Sequence, residues 1–137
     1  MKIVLSLIFM LSLLYGDFTK SGNIVTNNHS QLQWQDDAIG STKTWREAID
    51  YCEALSLDGL AGWRVPNINE LKSIINKQTY APAAVSAFTN IGSDQYWSST
   101  TYMSAKHRAW IVDFNYGKEN ASSKSYHKYV KCVRGGQ

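Results

Sequence analysis

Apolar residues recur at spacings of three and four between positions 45 and 55, which predicts an amphipathic helix. The stripe consists of Trp45, Ala48, Ile49, Cys52 and Leu55. Thr44 and Glu47 form a capping box, because the Thr44 hydroxyl can accept from an amide of the first turn while Glu47 reaches back. The pair Asp58-Gly59 predicts the end of this helix, with Gly59 in the left-handed cap.

A second, shorter helix is predicted to begin after Asn67. Asn67 is the expected N-cap, and Glu70, three residues later, completes a capping box. Its apolar face consists of Leu71, Ile74 and Ile75. Residues 78–94 lack a clear periodicity, so they predict a long loop, for which Phe88 and Ile91 are the expected anchors.

Strands are predicted where apolar and polar positions alternate. The predicted segments are 23–26, 31–35, 96–100, 109–114 and 126–133. The first two form a hairpin around turn residues. Residues 115–118 turn the chain again, and the polar stretch that follows, up to Lys124, is not assigned to a strand. The order of hairpin, two helices and further strands predicts an α+β domain.

The first 16 residues predict a signal peptide that is cleaved after Gly16. Lys2 supplies the positive charge, and residues 3–14 form an apolar run that is too short to span a bilayer. An uncleaved N-terminal anchor is the alternative. Cleavage leaves residues 17–137, which is the size of a single domain, in a secreted or periplasmic location. In such a location, two cysteines are more often a disulfide than a metal site or a redox couple.

Charge is unevenly distributed along the chain. Residues 17–102 contain six Lys and Arg against nine Asp and Glu, whereas residues 103–137 contain seven against two. The excess of positive charge in residues 103–137, the basic third of the chain, predicts a face that binds polyanions. The ordinary alternative is that these charges simply form a solvated surface. The candidate ligand-binding residues are Arg108, Lys118, Lys124, Tyr126, Lys128 and Lys131. Because residues 126–133 alternate, the side chains of Lys128 and Lys131 are expected on opposite faces.

No group of residues predicts a reaction or a metal centre. The chain contains three histidines, His29, His107 and His127. None of them stands at a recognised metal-ligand spacing. Asp36-Asp37 could bind a hard cation together with backbone oxygens, but adjacent carboxylates after a strand are more often simple loop residues. We therefore expect no enzyme activity, no metal and no cofactor.

Several short strings together resemble one bacterial extracellular family. They are LQWQDD at 32–37, WREA at 45–48, GWRVPN at 62–67, YWSST at 96–100, AWIVDF at 109–114 and VKCVRG at 130–135. In order and over nearly all of residues 17–137, they resemble the C-terminal domain of bacterial collagen-like adhesins, the Lcl C-terminal domain family. The resemblance implies a C-type-lectin-like fold with two helices, small antiparallel sheets and one disulfide, which would join Cys52 to Cys132.

The resemblance also implies a secreted, non-catalytic module that binds an anionic, glycosaminoglycan-like polysaccharide or another envelope component. The chain has no Gly-X-Y stretch, and Val65-Pro66-Asn67 lacks the carboxylate of lectin calcium sites. A structural or protein-interaction module, with a partner on residues 78–94, is the alternative. A formylglycine-type enzyme, which shares the broad fold, would need free thiols. We expect no nucleic acid partner and no membrane integration after the signal peptide is removed.

Overall fold

The computed structural model describes residues 17–136. The predicted signal peptide, residues 1–16, lies outside the described residues. Residues 17–136 contain two helices, α1 (Trp45–Ala54) and α2 (Ile68–Lys72). They also contain seven strands: β1 (Phe18–Ser21), β2 (Ile24–Asn27), β3 (Gln33–Gln35), β4 (Gln95–Thr101), β5 (Arg108–Asp113), β6 (Lys118–Ser123) and β7 (Val133–Arg134). The predicted α+β class is confirmed.

Helix α1 begins as predicted but ends four residues early. Thr44 Oγ1 accepts from the Glu47 amide at 3.3 Å, and Glu47 Oε1 accepts from the Thr44 amide at 2.9 Å. The helix ends at Ala54, so the predicted end at Asp58-Gly59 is wrong. Leu57 and Leu60 exchange two backbone hydrogen bonds, both 2.9 Å long, and thereby close a separate turn. The positive φ of Gly59, 77°, belongs to this turn and not to a helix cap.

Helix α2 begins with the predicted capping box between Asn67 and Glu70. The Glu70 carboxylate also accepts from both terminal nitrogens of Arg64, at 2.7 and 2.8 Å. Arg64 Nη2 donates further to the carbonyl of Gly135 at 2.8 Å. A single guanidinium therefore links the start of α2 to the end of the described chain.

The strands form two antiparallel sheets, ordered β1-β2-β3-β7 and β4-β5-β6. The predicted hairpin is confirmed as β2 and β3, in which Val25 pairs with Trp34. Two strands, β1 and β6, were not predicted. Strand β6 is the edge of its sheet, and three of its six residues are exposed, so it carries no apolar alternation.

The predicted closing strand is wrong for most of its length, because only Val133–Arg134 forms a regular strand in that region. Before it, the chain makes isolated bridges instead, from Lys128 to Lys43 and from Tyr129 to Tyr96. Tyr96 belongs to β4, and the Gln35 amide of β3 donates to the Cys132 carbonyl at 2.9 Å, so the segment contacts both sheets. It does not extend either sheet as a full strand.

Strand β5 is buried on both of its faces. Ile111 packs in a cluster with Ala48 and Cys52 of α1, whereas Val112 packs in a second cluster with Leu71 of α2. A central strand between two layers buries consecutive residues. The three-stranded sheet thus lies between the two helices. Trp97 is fully buried on the α1 side.

Residues 78–94 contain no helix or strand. Phe88 and Ile91 are buried there, as predicted. The disulfide between Cys52 and Cys132 is also confirmed, with the two Cα atoms 5.6 Å apart. It ties α1 to the residue immediately before β7.

We expect a double variant, Cys52→Ala with Cys132→Ala, to lose about 4 kcal/mol of unfolding free energy. The cysteines are separated by 80 residues, so the disulfide removes much conformational freedom from the unfolded chain. Urea unfolding measures the loss. Dithiothreitol should lower the wild-type value to that of the variant and leave the variant unchanged. A loss below about 1 kcal/mol would contradict this prediction.

Candidate anion-binding groove

A groove of about 530 Å³ lies against β5 and β6. Its lining includes His107, Arg108, Asn120, Ser123, Tyr126 and Lys128. These include three of the six predicted ligand-binding residues, namely Arg108, Tyr126 and Lys128. Among residues 17–136, no Asp or Glu lines the groove. A concave surface with basic side chains and no carboxylate concentrates a positive field and attracts anions.

The groove forms because β6 is followed at once by a tight turn. Arg108 and Ser123 are paired across the two strands. The Lys124 amide then donates to the His107 carbonyl at 2.8 Å, and the Tyr126 amide donates to the Ser123 carbonyl at 3.0 Å. These bonds bring Tyr126 back over the strand ends.

The two cations of the groove have neutral partners. Lys128 Nζ donates to Gln95 Oε1 and lies 5.9 Å from the centre of the Tyr126 ring. The Arg108 guanidinium donates to the Ala121 carbonyl. Within residues 17–136, neither has a carboxylate within 4.0 Å. Their charges are therefore not neutralised by an ion pair and are available to an anionic ligand.

The basic surface ends at Lys128. A neighbouring cavity of about 400 Å³ shares Gln95 and Lys128 with the groove but is also lined by Asp94 and Asp113. Two carboxylates repel anions, so the part of this surface that is basic and lacks carboxylates lies on the Arg108 side of Lys128 only.

The structure places Lys118 and Lys124 away from the groove lining. Lys118 lines a separate cavity at the start of β6. Lys124 Nζ lies 4.1 Å from the centre of the Trp45 ring and donates to Thr101 Oγ1 at 2.9 Å. Its side chain therefore packs against the start of α1.

Lys131 lies inside the protein, with only 4% of its surface exposed. Its Nζ donates to Asp36 Oδ1 at 3.2 Å, to the Gln35 carbonyl at 2.8 Å and to the Asn90 carbonyl at 3.0 Å. Burial lowers the pKa of the Lys131 ammonium, and the charge of Asp36 opposes this effect without reversing it. The side chain is thus part of the interior and does not contribute to the groove.

Asp36 is fully buried and forms hydrogen bonds with three separate segments of the chain. It accepts from Lys20 Nζ at 2.7 Å, from the Thr89 amide at 2.9 Å and from the Asn90 amide at 3.0 Å, in addition to Lys131. Burial alone raises the pKa of this carboxyl group. The hydrogen bonds from Lys20 and the two amides, with the charge of Lys131, outweigh burial and lower the pKa below its ordinary value.

The remaining candidate ligands for a metal are dispersed. The Asp36 carboxylate is occupied by two lysines, and Asp37 Oδ1 accepts from Gln35 Nε2 at 2.9 Å. His29 pairs with Asp17 at 2.7 Å. In the part of the chain that the structure describes, no three His, Cys, Asp or Glu side chains are grouped so that they could hold a metal ion.

A narrow pit beside Asp37 has room for only about 20 Å³, which is roughly one water molecule. Its walls are already hydrogen-bonded to one another, since Gln35 Nε2 donates to the Tyr51 hydroxyl at 2.8 Å. Tyr96 also lines it, and burial raises the pKa of Tyr96 to about 12. The pit is therefore a structural feature of the polar interior.

The chain is similar to a known protein family. The sequence model of the Lcl C-terminal domain family matches residues 23–134. This range includes α1, α2, the strands from β2 to β7 and both cysteines. No curated protein matches the chain. The match suggests a cell-envelope-associated domain, and together with the disulfide it is compatible with an extracellular location. Within residues 17–136, no helix is both long and apolar enough to cross a membrane.

We expect Asp36→Asn to destabilise the protein more than Lys131→Met. Asp36→Asn leaves the buried Lys131 ammonium without a carboxylate, which should cost about 3–5 kcal/mol of unfolding free energy. Lys131→Met leaves Asp36 paired with Lys20, so the loss should be closer to about 2 kcal/mol. Urea unfolding of both variants provides the comparison. Equal losses, or a larger loss for Lys131→Met, would show that the carboxylate is not the centre of the network.

Acid should weaken the fold through the same carboxylate. Because the pKa of Asp36 is lower in the folded protein, the unfolded chain binds a proton more readily. This contribution to stability is complete above about pH 5 and is lost as the pH falls below about 4. The pKa of Glu70 is also lowered, so only the difference between wild type and Asp36→Asn reports Asp36. Unfolding measured from pH 6 to 3 should show a steeper decline for the wild type; parallel declines would contradict the assignment.

Proposed function

Because the chain belongs to the Lcl C-terminal domain family, we propose that it is a non-catalytic binding module of the cell envelope, with an anionic polysaccharide as its ligand. The observation that carries this proposal is the groove itself. Arg108 and Lys128 line it, no carboxylate lines it, and neither cation is in an ion pair within residues 17–136.

The chemistry of the groove suits sulfate or carboxylate groups carried on sugars. A guanidinium binds such groups through two parallel hydrogen bonds, whereas an ammonium acts as a point charge. Tyr126 is 61% exposed at the edge of the groove and offers an apolar face to a sugar ring. Binding of this kind is expected to weaken with salt, because the charges are close to solvent.

The proposal includes an adhesin-like role and a C-type-lectin-like fold. The disulfide between Cys52 of α1 and Cys132 before β7 supports this fold, since it joins the first helix to the last strand region. A disulfide also favours an oxidising compartment, in agreement with export by a signal peptide at residues 1–16 and with one mature domain over residues 17–137. The proposed location is therefore secreted or periplasmic.

The disulfide also argues for a binding role rather than a formylglycine-type oxidation. The chain has two cysteines, and both are used in the Cys52–Cys132 bond. Oxidation of that type requires a reactive thiolate, which a structural disulfide does not supply.

A protein-interaction module with a partner on residues 78–94 has narrower support. The second half of this loop packs against the interior and is not free to bind a partner. Phe88 is buried there, and the amides of Thr89 and Asn90 donate to Asp36. At its other end, Tyr80 is 78% exposed, so a partner would meet mainly the loop tip.

Heparin affinity tests the groove. Arg108→Gln and Lys128→Gln are each expected to weaken heparin binding by roughly threefold, and together by roughly tenfold, so that the variants elute at lower salt. Arg46→Gln is the control for the loss of one positive charge, because Arg46 is exposed on α1 outside the groove, where it forms a solvent-exposed ion pair with Asp50. Lys131→Met should not change elution beyond this control, since Lys131 is buried.

Equal elution of the four single variants would show that net charge alone governs retention. Failure of the wild type to bind heparin, dextran sulfate and alginate would overturn the proposed ligand class.

A further inference from the structure

We propose a second subsite for anionic sugars at the tip of the β5–β6 hairpin, separate from the groove. We call it the hairpin-tip surface. It consists of Lys72, Lys77, Tyr80, Tyr116 and Lys118. This inference deepens the proposed function and rests on it, because the class of ligand is the same.

Backbone contacts hold the two halves of this surface together. The Ala81 amide donates to the Asn115 carbonyl at 3.0 Å, and the Ala83 amide donates to the Phe114 carbonyl at 2.6 Å. Tyr80 directly precedes Ala81 in the chain, and Tyr116 directly follows Asn115. The loop and the hairpin turn are therefore in backbone contact at the residues next to the two tyrosines.

Gly117 allows the close approach of the hairpin turn and the loop. Its φ is +74°, and a Cβ at this position would lie only 2.8 Å from Ile75 Cγ2 and 3.2 Å from Ala83 Cβ. Any other residue would be strained and would push the turn away from the loop. The close contact between the two segments therefore depends on a glycine at position 117.

The two tyrosines are unusually exposed. Tyr80 is 78% exposed and Tyr116 is 65% exposed, on neighbouring segments. Large aromatic side chains are more often at least partly buried, and adjacent exposed ones mark an interaction surface. An exposed phenol ring has an apolar face that can cover the C–H face of a sugar and a hydroxyl that stays in water.

A basic cavity lies at the same tip, and its lysines are close in sequence to the tyrosines: Lys118 lies two residues after Tyr116, and Lys77 lies three residues before Tyr80. Lys72, Lys77 and Lys118 line a cavity of about 290 Å³, and Glu119 is its one acidic lining residue among the residues that the structure describes. Glu119 pairs with Lys72 at 3.2 Å. Lys77 and Lys118 are in no ion pair within residues 17–136. Aromatic faces beside ammonium groups that lack a carboxylate partner are suited to a sugar that carries a negative group.

The hairpin-tip surface is distinct from the groove. Lys118 begins β6, and Ser123 of the groove ends it, so about 17 Å of strand separates them. One sugar ring cannot reach both. A polymer with repeated charges can occupy both, on one chain or on neighbouring chains, and binding at two sites raises the apparent affinity without any further contact.

The experiment is an NMR titration of the ¹⁵N-labelled mature protein with a heparin-derived tetrasaccharide. We expect shifts in two separate sets of amides, at residues 77–80 and 116–118 and at the groove residues 107–108 and 123–128. Lys77→Gln with Lys118→Gln should weaken binding at the first set by roughly fivefold and leave the second set unchanged. Arg46→Gln is the control for loss of positive charge and should change neither set.

The outcomes separate the two proposals. Shifts confined to the groove would overturn the second subsite and leave the proposed function intact. Shifts confined to the hairpin tip would support the second subsite and count against the groove. No shift in either set would overturn both.

Poly-L-glutamate, used as a second probe, distinguishes a site for sugars from a surface that binds acidic proteins. Tyr80→Ala with Tyr116→Ala should weaken tetrasaccharide binding at the hairpin tip by roughly fivefold and affect poly-L-glutamate much less, because only sugar rings use the phenol faces. Equal effects on the two probes, or none, would overturn the assignment to a saccharide.

Discussion

A buried carboxylate, that of Asp36, is the interaction on which the arrangement of the chain depends. Lys20 reaches it from β1, Thr89 and Asn90 from the long loop, and Lys131 from the segment before β7. A carboxylate removed from water is costly unless all of its partners are in place. The network therefore favours only an arrangement in which these distant segments meet. The disulfide fixes the same segment of the chain, because Cys132 directly follows Lys131 and is bonded to Cys52 of α1.

The buried charges position the exposed ones. With Lys131 held in the interior, the chain just before it makes isolated bridges at Lys128 and Tyr129. Lys128 then lies at the groove beside Tyr126. Two lysines three residues apart consequently have opposite environments: one neutralises an internal carboxylate, and the other is available at the surface. The opposite directions follow from the extended backbone, and the depth of burial follows from Asp36.

Local signals in the sequence were sufficient for the helix starts, the first hairpin and the disulfide, because each depends on residues close in sequence or on a single pair. Strand β6 was missed because an edge strand with exposed polar residues carries no apolar alternation. The burial of Lys131 was missed because its carboxylate partner lies 95 residues away. Lysine is otherwise among the most exposed residue types. No spacing along the chain could have indicated this pairing, so the predicted ligand set included one residue that belongs to the interior.

The basic third of the chain is therefore not one surface. Lys131 is internal, Lys124 packs against Trp45, Arg108 and Lys128 line the groove, and Lys118 lies at the far end of β6. The carboxylates near Lys128 limit the groove on one side, so the positive charge is divided into separated patches rather than spread evenly. A compact anion can use only one such patch. A chain with charges repeated along its length can use several, which is why the spacing of the patches favours a polymer over a small ligand.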